Sequence, residues 1–142
     1  MKVLVDTHTI LWAGLAPARL GKRATAILAN RSSEVYVSAA SACEIATKVR
    51  LGKLPGAEAL ERDFIDSVQE AGYTLLAITA AHALRAGRMP GNHRDPFDRI
   101  LAAQALAEDI PILSIDTNLD SFGITRIAYD CPQGPPSPHS IR

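Results

Sequence analysis

Apolar residues fall in short runs separated by longer amphipathic stretches. Val3-Leu4-Val5 is wholly apolar, the pattern of a strand covered on both faces of a parallel sheet. A helix is predicted straight after it over residues 7–13, and another over 20–30 with Ala24, Ile27 and Leu28 on one side. A strand follows at 34–37, then a helix capped by Ser38 that runs to about residue 50, where Gly52 and Pro55 stop it. Residues 57–71 carry the clearest amphipathic pattern: Ala57, Leu60, Phe64, Ile65, Val68 and Ala71 recur at helical spacing. A strand at 73–78 precedes a helix at 79–88 capped by Thr79, and a Pro/Gly loop spans 89–94. Residues 95–108 read as a helix with Asp95 as cap and Pro96 in its first turn. A strand at 111–115, a turn or short helix at 117–122 and a strand at 124–128 complete the pattern.

Strands and helices alternate, which implies an α/β fold with a mostly parallel sheet. Residues 1–130 form one expected domain. Residues 131–142 hold four prolines and no apolar pattern, and read as a disordered tail.

Composition adds exclusions. The chain has 142 residues, 47% hydrophobic and 21% charged, which is a globular rather than a disordered composition. A domain of this size buries about two thirds of its unfolded surface and needs no staple. Cys43 and Cys131 make neither a CxxC nor a zinc spacing, and a reducing cytoplasm is expected. Asp6 interrupts the opening apolar run, so no signal peptide is read there, and no stretch of about 18 apolar residues predicts a membrane span. Lys plus Arg and Asp plus Glu both number 15, which argues against bulk coating of nucleic acid but leaves room for a local basic patch.

The informative feature is the address of four acids. Asp6 and Asp116 each close a strand, where ligands of open parallel sheets bind. Glu44 lies in the second turn of the helix after the second strand, and Asp98 in the first turn of the helix begun by Asp95. Each has a structural reading: Asp6 as a helix cap, Asp98 as part of a capping box with Asp95, Asp116 as a turn former. Glu44 mimics a capping box with Ser41, but Ser38 is the better cap, and an acid among Ala42, Cys43, Ile45 and Ala46 is costly without a partner. Convergence favours function. Four like charges at one rim repel, and an oxygen-only ligand set suits Mg²⁺, with Mn²⁺ as substitute, over Zn²⁺. Phosphodiester hydrolysis by a metal-activated water is the chemistry that needs such a site.

Val5-Asp-Thr-His-Thr-Ile-Leu-Trp12, Ser38-Ala-Ala-Ser-Ala-Cys-Glu-Ile-Ala46, His93-Arg-Asp-Pro-Phe-Asp-Arg-Ile-Leu-Ala-Ala-Gln-Ala105 and Leu113-Ser-Ile-Asp116 together resemble the PIN-domain family, specifically VapC-type toxins. The resemblance covers residues 1 to about 128. It implies a three-layer α/β/α sandwich and a Mg²⁺-dependent endoribonuclease. It further implies a homodimer, and a small VapB-like antitoxin as partner. Carried over, Asp6, Glu44, Asp98 and Asp116 are the catalytic, metal-binding acids. Asp6 and Asp98 would ligate directly, and Glu44 would complete the site or hold a metal-bound water. Relatives vary at the place of Asp116. Thr7 and Ser114 would support the acids through their hydroxyls, and Asp95 would aim Asp98 as its helix cap. Cys43 stands where close relatives often carry Trp, and the proline-rich tail has no counterpart.

For RNA contact, Arg85, Arg88, His93, Arg94 and Arg99 cluster ahead of the proposed site, and Arg88, His93, Arg94 and Arg99 are the substrate-binding expectation. Lys48, Arg50 and Lys53 form a second basic group. At 5% aromatic content a structured RNA suits the chain better than a long stacked strand. A solvated helix face explains any one of these cations equally well. His8 is read as a helix-face residue, Trp12 as a core or dimer-contact residue, and His82 and His139 carry no signal. Rival folds fit worse. A haloacid-dehalogenase phosphatase needs a second acid where His8 stands and a late lysine, yet no lysine follows Lys53, which also disfavours a phospho-receiver. The remaining alternative is a metal-free or inactive PIN-like module that binds protein or RNA.

Overall fold

The computed structural model describes residues 1–130, so the expected tail at 131–142 lies outside the described residues. Five strands form one parallel sheet: β1 (Lys2–Val5), β2 (Glu34–Ser38), β3 (Thr74–Leu76), β4 (Ile112–Leu113) and β5 (Arg126–Ile127). Their order is β3-β2-β1-β4-β5. From β1 the chain builds outward first on one side and then on the other. The switch point is therefore the junction of β1 and β4, where the carboxyl ends of adjacent strands open a crevice.

Strand side chains alternate between two cores. Val3, Val5, Val35, Val37 and Leu113 face a layer containing α1 (Thr7–Leu15), α2 (Gly21–Ala29) and α5 (Phe64–Glu70). Leu4, Ile112 and Tyr36 face the opposite layer, with Leu101, Ala102 and Ala105 of α7 (Pro96–Glu108). Period-two burial on both sides is why these strands read as unbroken apolar runs. The result is the three-layer α/β/α sandwich.

Local chemistry sets most helix starts. The N-H of Ala40 donates to Ser38 Oγ (2.9 Å) at the head of α3 (Ala39–Arg50). Asp95 Oδ1 accepts from the N-H groups of Phe97 (2.9 Å) and Asp98 (3.3 Å) at the head of α7. At α6 (Ala80–Arg88), Thr79 Oγ1 accepts from His82 N-H and the Thr79 N-H donates to His82 Nδ1, both at 3.1 Å. His82, silent in the sequence, is thus a buried half of a capping box. Ser38 also donates to Gln104 Oε1 (2.6 Å), and Gln104 Nε2 donates to the carbonyl of Ala77 (3.2 Å). This fully buried amide ties α7 to the start of α3.

Two elements depart from expectation. A short 3-10 turn, Pro17–Leu20, precedes α2, which starts at Gly21. The single helix expected over 57–71 is two: α4 (Glu58–Arg62) and α5, broken at Asp63, whose φ of −101° and ψ of 20° leave the helical basin. The break rotates the second half, so Phe64 and Val68 are buried while Ile65, assigned to the apolar face by spacing, is 59% exposed.

Phe64→Ala should therefore cost about 3–5 kcal/mol in urea-denaturation stability, and Ile65→Ala should stay within about 0.5 kcal/mol. Similar losses at both positions would restore the unbroken helix.

Candidate functional site at the β1–β4 switch point

Asp6, Glu44 and Asp98 are each only 3% exposed, and Asp116 is half-buried. Burial of three carboxylates is expensive unless each is hydrogen-bonded or paired, and the structure satisfies each differently.

Asp6 ends β1 and caps α1. Its Oδ1 accepts from the Thr9 N-H (2.9 Å) and from Thr9 Oγ1 (2.6 Å), and its Oδ2 accepts from the Ser114 hydroxyl. Thr9 Oγ1 is in turn 2.8 Å from the hydroxyl of Tyr129, just beyond β5. With the Thr9 proton committed to Asp6, the Tyr129 hydroxyl is the donor. His8 Nδ1 lies 4.0 Å from Asp6 Oδ2, and its ring stacks on buried Trp12 at 5.8 Å.

Ser114 joins the two strand-end acids. Its oxygen accepts from the Asp116 N-H (2.9 Å) while its hydroxyl serves Asp6. Asp116 itself caps the 3-10 turn Thr117–Phe122 through the Asn118 N-H (3.0 Å). Arg126 flanks this edge. Its Nη1 donates to the Ser114 carbonyl (3.0 Å), and its Nε and Nη2 donate to Asp120 at 2.8 and 3.2 Å. The bound Asp120 carboxylate holds the guanidinium above its ordinary pKa, with smaller contributions from Asp116 and Asp6.

Glu44 is reached through Asp6's neighbour. Thr7 Oγ1 donates to Glu44 Oε1 (2.7 Å) and lies 3.0 Å from Ser41 Oγ. The other oxygen, Oε2, is paired with the Lys48 ammonium one turn along α3. Lys48 is thus turned into the rim rather than standing with exposed Arg50 and Lys53 in a surface basic group. Asp98 Oδ2 lies 3.0 Å from His93 Nε2, and the His93 ring meets Phe122 edge-on at 5.1 Å.

The expected substrate cations divide. Arg94 is exposed in the loop leading into α7, and Arg85 and Arg88 are exposed in the last turn of α6. Arg99 is turned inward. Its nitrogens donate to the carbonyls of Ala86 (2.9 Å), His93 (2.9 Å) and Met89. Its expected phosphate contact gives way to clamping the 89–94 loop onto α7, because three inward carbonyls at that bend need donors. His93 likewise faces Asp98.

The structure thus links Asp6 and Asp116 through one hydroxyl and joins Glu44 to the residue after Asp6. Asp98 stands on α7, which packs against α3. All-oxygen donors buried at a parallel-sheet switch point, with hydroxyls orienting them, fit a hard divalent cation by chemistry. They are not gathered into a cluster: among the described residues no three His, Cys, Asp or Glu side chains are arranged to hold a metal ion. Lys48 and His93 are turned onto two of the acids instead. Sequence reasoning missed Tyr129, Arg126 and the inward turn of Lys48. Of these only Lys48 carried a signal, the Glu-to-Lys spacing of four on a helix.

The comparisons bear on this geometry. The PIN domain family model matches residues 3–124. The fold is similar to VapBC2 of Rickettsia felis, solved with a DNA fragment from its promoter, at TM-score 0.69 and 13% identity over 92% of this chain and 100% of that one. It is also similar to VapC20 of Mycobacterium tuberculosis, described as a sarcin-ricin loop cleaving toxin, at TM-score 0.63 and 16% identity over 89% and 99%. VapBC-1 of nontypeable Haemophilus influenzae gives TM-score 0.63 and 14% identity over 90% and 98%. At these identities the likeness is one of fold. No curated protein matches the sequence. No helix among the described residues is long and apolar enough to cross a membrane.

Thr9→Val should cost about 1–2 kcal/mol, since Asp6 loses a buried donor, and Thr9→Ser should recover most of it in the same urea melts. Arg99→Met should speed hydrogen–deuterium exchange of the 89–94 amides and leave the second half of α7 protected; unchanged exchange in the loop would remove the clamp.

Proposed function

Because the chain belongs to the PIN domain family, we propose that it is a divalent-metal-dependent endoribonuclease, the toxin of a VapC-type toxin–antitoxin pair. The observation that carries this reading is the burial of three carboxylates: Asp6 at the end of β1, Glu44 bonded to the adjacent Thr7, and Asp98 in the first turn of α7. A structural module has no use for three buried anions at a ligand-binding rim.

Asp6 and Asp98 are the direct ligands of a Mg²⁺ or Mn²⁺ ion, Glu44 completes the site or holds a water, and Asp116 lends charge from the next strand end. When bound, the cation neutralises phosphate charge and lowers the pKa of a water. The residues of the chain do the rest. Thr9 and Ser114 fix the Asp6 carboxylate, Thr7 fixes Glu44, and the Asp95 cap sets the turn that carries Asp98. Exposed Arg88 and Arg94 meet the RNA backbone near the scissile phosphate. VapBC2 and VapBC-1 are toxin–antitoxin complexes by name. A small antitoxin with an Arg or Lys that enters the acidic crevice is accordingly the expected partner, and pairing of two copies the expected assembly.

A second reading has its own observation. The Lys48 and His93 contacts satisfy Glu44 and Asp98 without a metal, as an inactive binding module would require.

One experiment separates the two: purified protein on total RNA with Mg²⁺, with chelator, and with Asp6→Asn or Asp98→Asn. Cleavage is expected only with Mg²⁺, and each variant should lose more than about 100-fold, beyond what losing a ligand's supporting partner costs. Asn still caps a helix, so Asp6→Asn should hold stability within about 1 kcal/mol. Full activity in either variant removes the assignment, and metal-independent RNA binding without cleavage selects the inactive module.

A further inference from the structure

Each oxygen of Glu44 already has a partner. Thr7 Oγ1 takes Oε1 at 2.7 Å, and the Lys48 ammonium takes Oε2. The pair is inside the protein, with side-chain exposures of 15% for Lys48 and 4% for Glu44. Both residues ride on α3 at a spacing of four, so the helix keeps the ammonium within reach of the carboxylate. A tethered cation is thereby placed against one of the four candidate acids.

From this placement we propose that Lys48 is a built-in counter-cation that a divalent ion must displace from Glu44 before the acids can close around it. The inference rests on the metal-dependent reading of the site. It accounts for a feature that reading leaves unexplained: four acids are expected to hold a metal, yet among the described residues no three are gathered as a metal-binding group. An ammonium is a point charge with rotatable donors on a flexible stem. It can neutralise the carboxylate and swing away without disturbing the backbone, as a guanidinium fork held by several bonds cannot. Binding is then an exchange of one cation for another. Lys48 keeps the metal-free protein folded and at the same time lowers its affinity for metal. A purely structural ion pair would do only the first, so the two effects move in opposite directions when the charge is removed.

The test is thermal melting of the full chain, stripped of metal and titrated with Mn²⁺, for the natural protein, Lys48→Met and Lys48→Gln, with exposed Lys22→Met as control. Lys48→Met keeps the stem and loses the charge. Lys48→Gln keeps a donor for Glu44 and serves should the Met variant fail to fold. In chelator both variants should melt below the natural protein. With Mn²⁺ the half-saturating concentration should fall several-fold in both, and the gap in melting temperature should narrow at saturation, while Lys22→Met follows the natural protein. Equal or weaker Mn²⁺ binding in the Lys48 variants, alongside a clear response in the natural protein, overturns the exchange and leaves the metal site standing. A response in the variants alone supports it as a full block. No Mn²⁺ response in any protein overturns the metal reading, and the exchange with it.

Discussion

The structure depends on burying carboxyl side chains at the carboxyl edge of a parallel sheet. Asp6, Glu44 and Asp98 are nearly as inaccessible as the valines of β1, although an unpaired charge there would cost several kcal/mol. Much of the surrounding chemistry answers that cost. Ser114 and Thr9 donate to Asp6, Thr7 and Lys48 to Glu44, and His93 lies against Asp98. Helix starts help as well. Asp6 and Asp116 cap helical turns and Asp98 lies in the first turn of α7, where unsatisfied N-H groups and the helix dipole favour negative charge.

The addresses of the acids were legible because they follow from local rules. A strand ending in Asp, a Ser before an apolar helix and Asp-Pro at a helix start are written within three or four residues, and Asp6, Ser38 and Asp95 do bond as those rules require. The parallel order was legible because Val3-Leu4-Val5 and Val35-Tyr36-Val37 are apolar on both faces. What was not legible is whatever depends on distant partners. Tyr129 reaches the site through Thr9, 120 positions away. Arg99 looks like any basic helix residue until the loop at 89–94 presents its carbonyls. The break at Asp63 is hidden because apolar spacing registers a helix face without registering one residue that leaves the helical basin.

Competing structural and functional readings of these acids dissolve once the bonds are assigned oxygen by oxygen. A carboxylate has two oxygens with about two acceptor positions each. Asp6 Oδ1 is filled by the Thr9 N-H and hydroxyl, which is the capping role. Oδ2 accepts from Ser114 and keeps capacity beyond it. Capping therefore fixes the rotamer through one oxygen and leaves the second to the hydroxyl of Ser114 beyond β4. On α7 the tasks are divided between residues instead. Asp95 takes the backbone N-H groups, including that of Asp98, and Asp98 turns Oδ2 toward His93.

The loop ahead of α7 follows the same logic. Arg99 spends its charge inward and holds the backbone carbonyls of Met89 and His93, so the segment between them has a fixed base. On either side of that segment Arg88 and Arg94 are exposed, while His93 faces Asp98. An exposed guanidinium on a fixed loop loses less freedom on meeting a phosphate than one on a loose loop. The basic cluster that looked uniform in sequence thus divides into one inward-turned clamp, Arg99, and two exposed cations, Arg88 and Arg94.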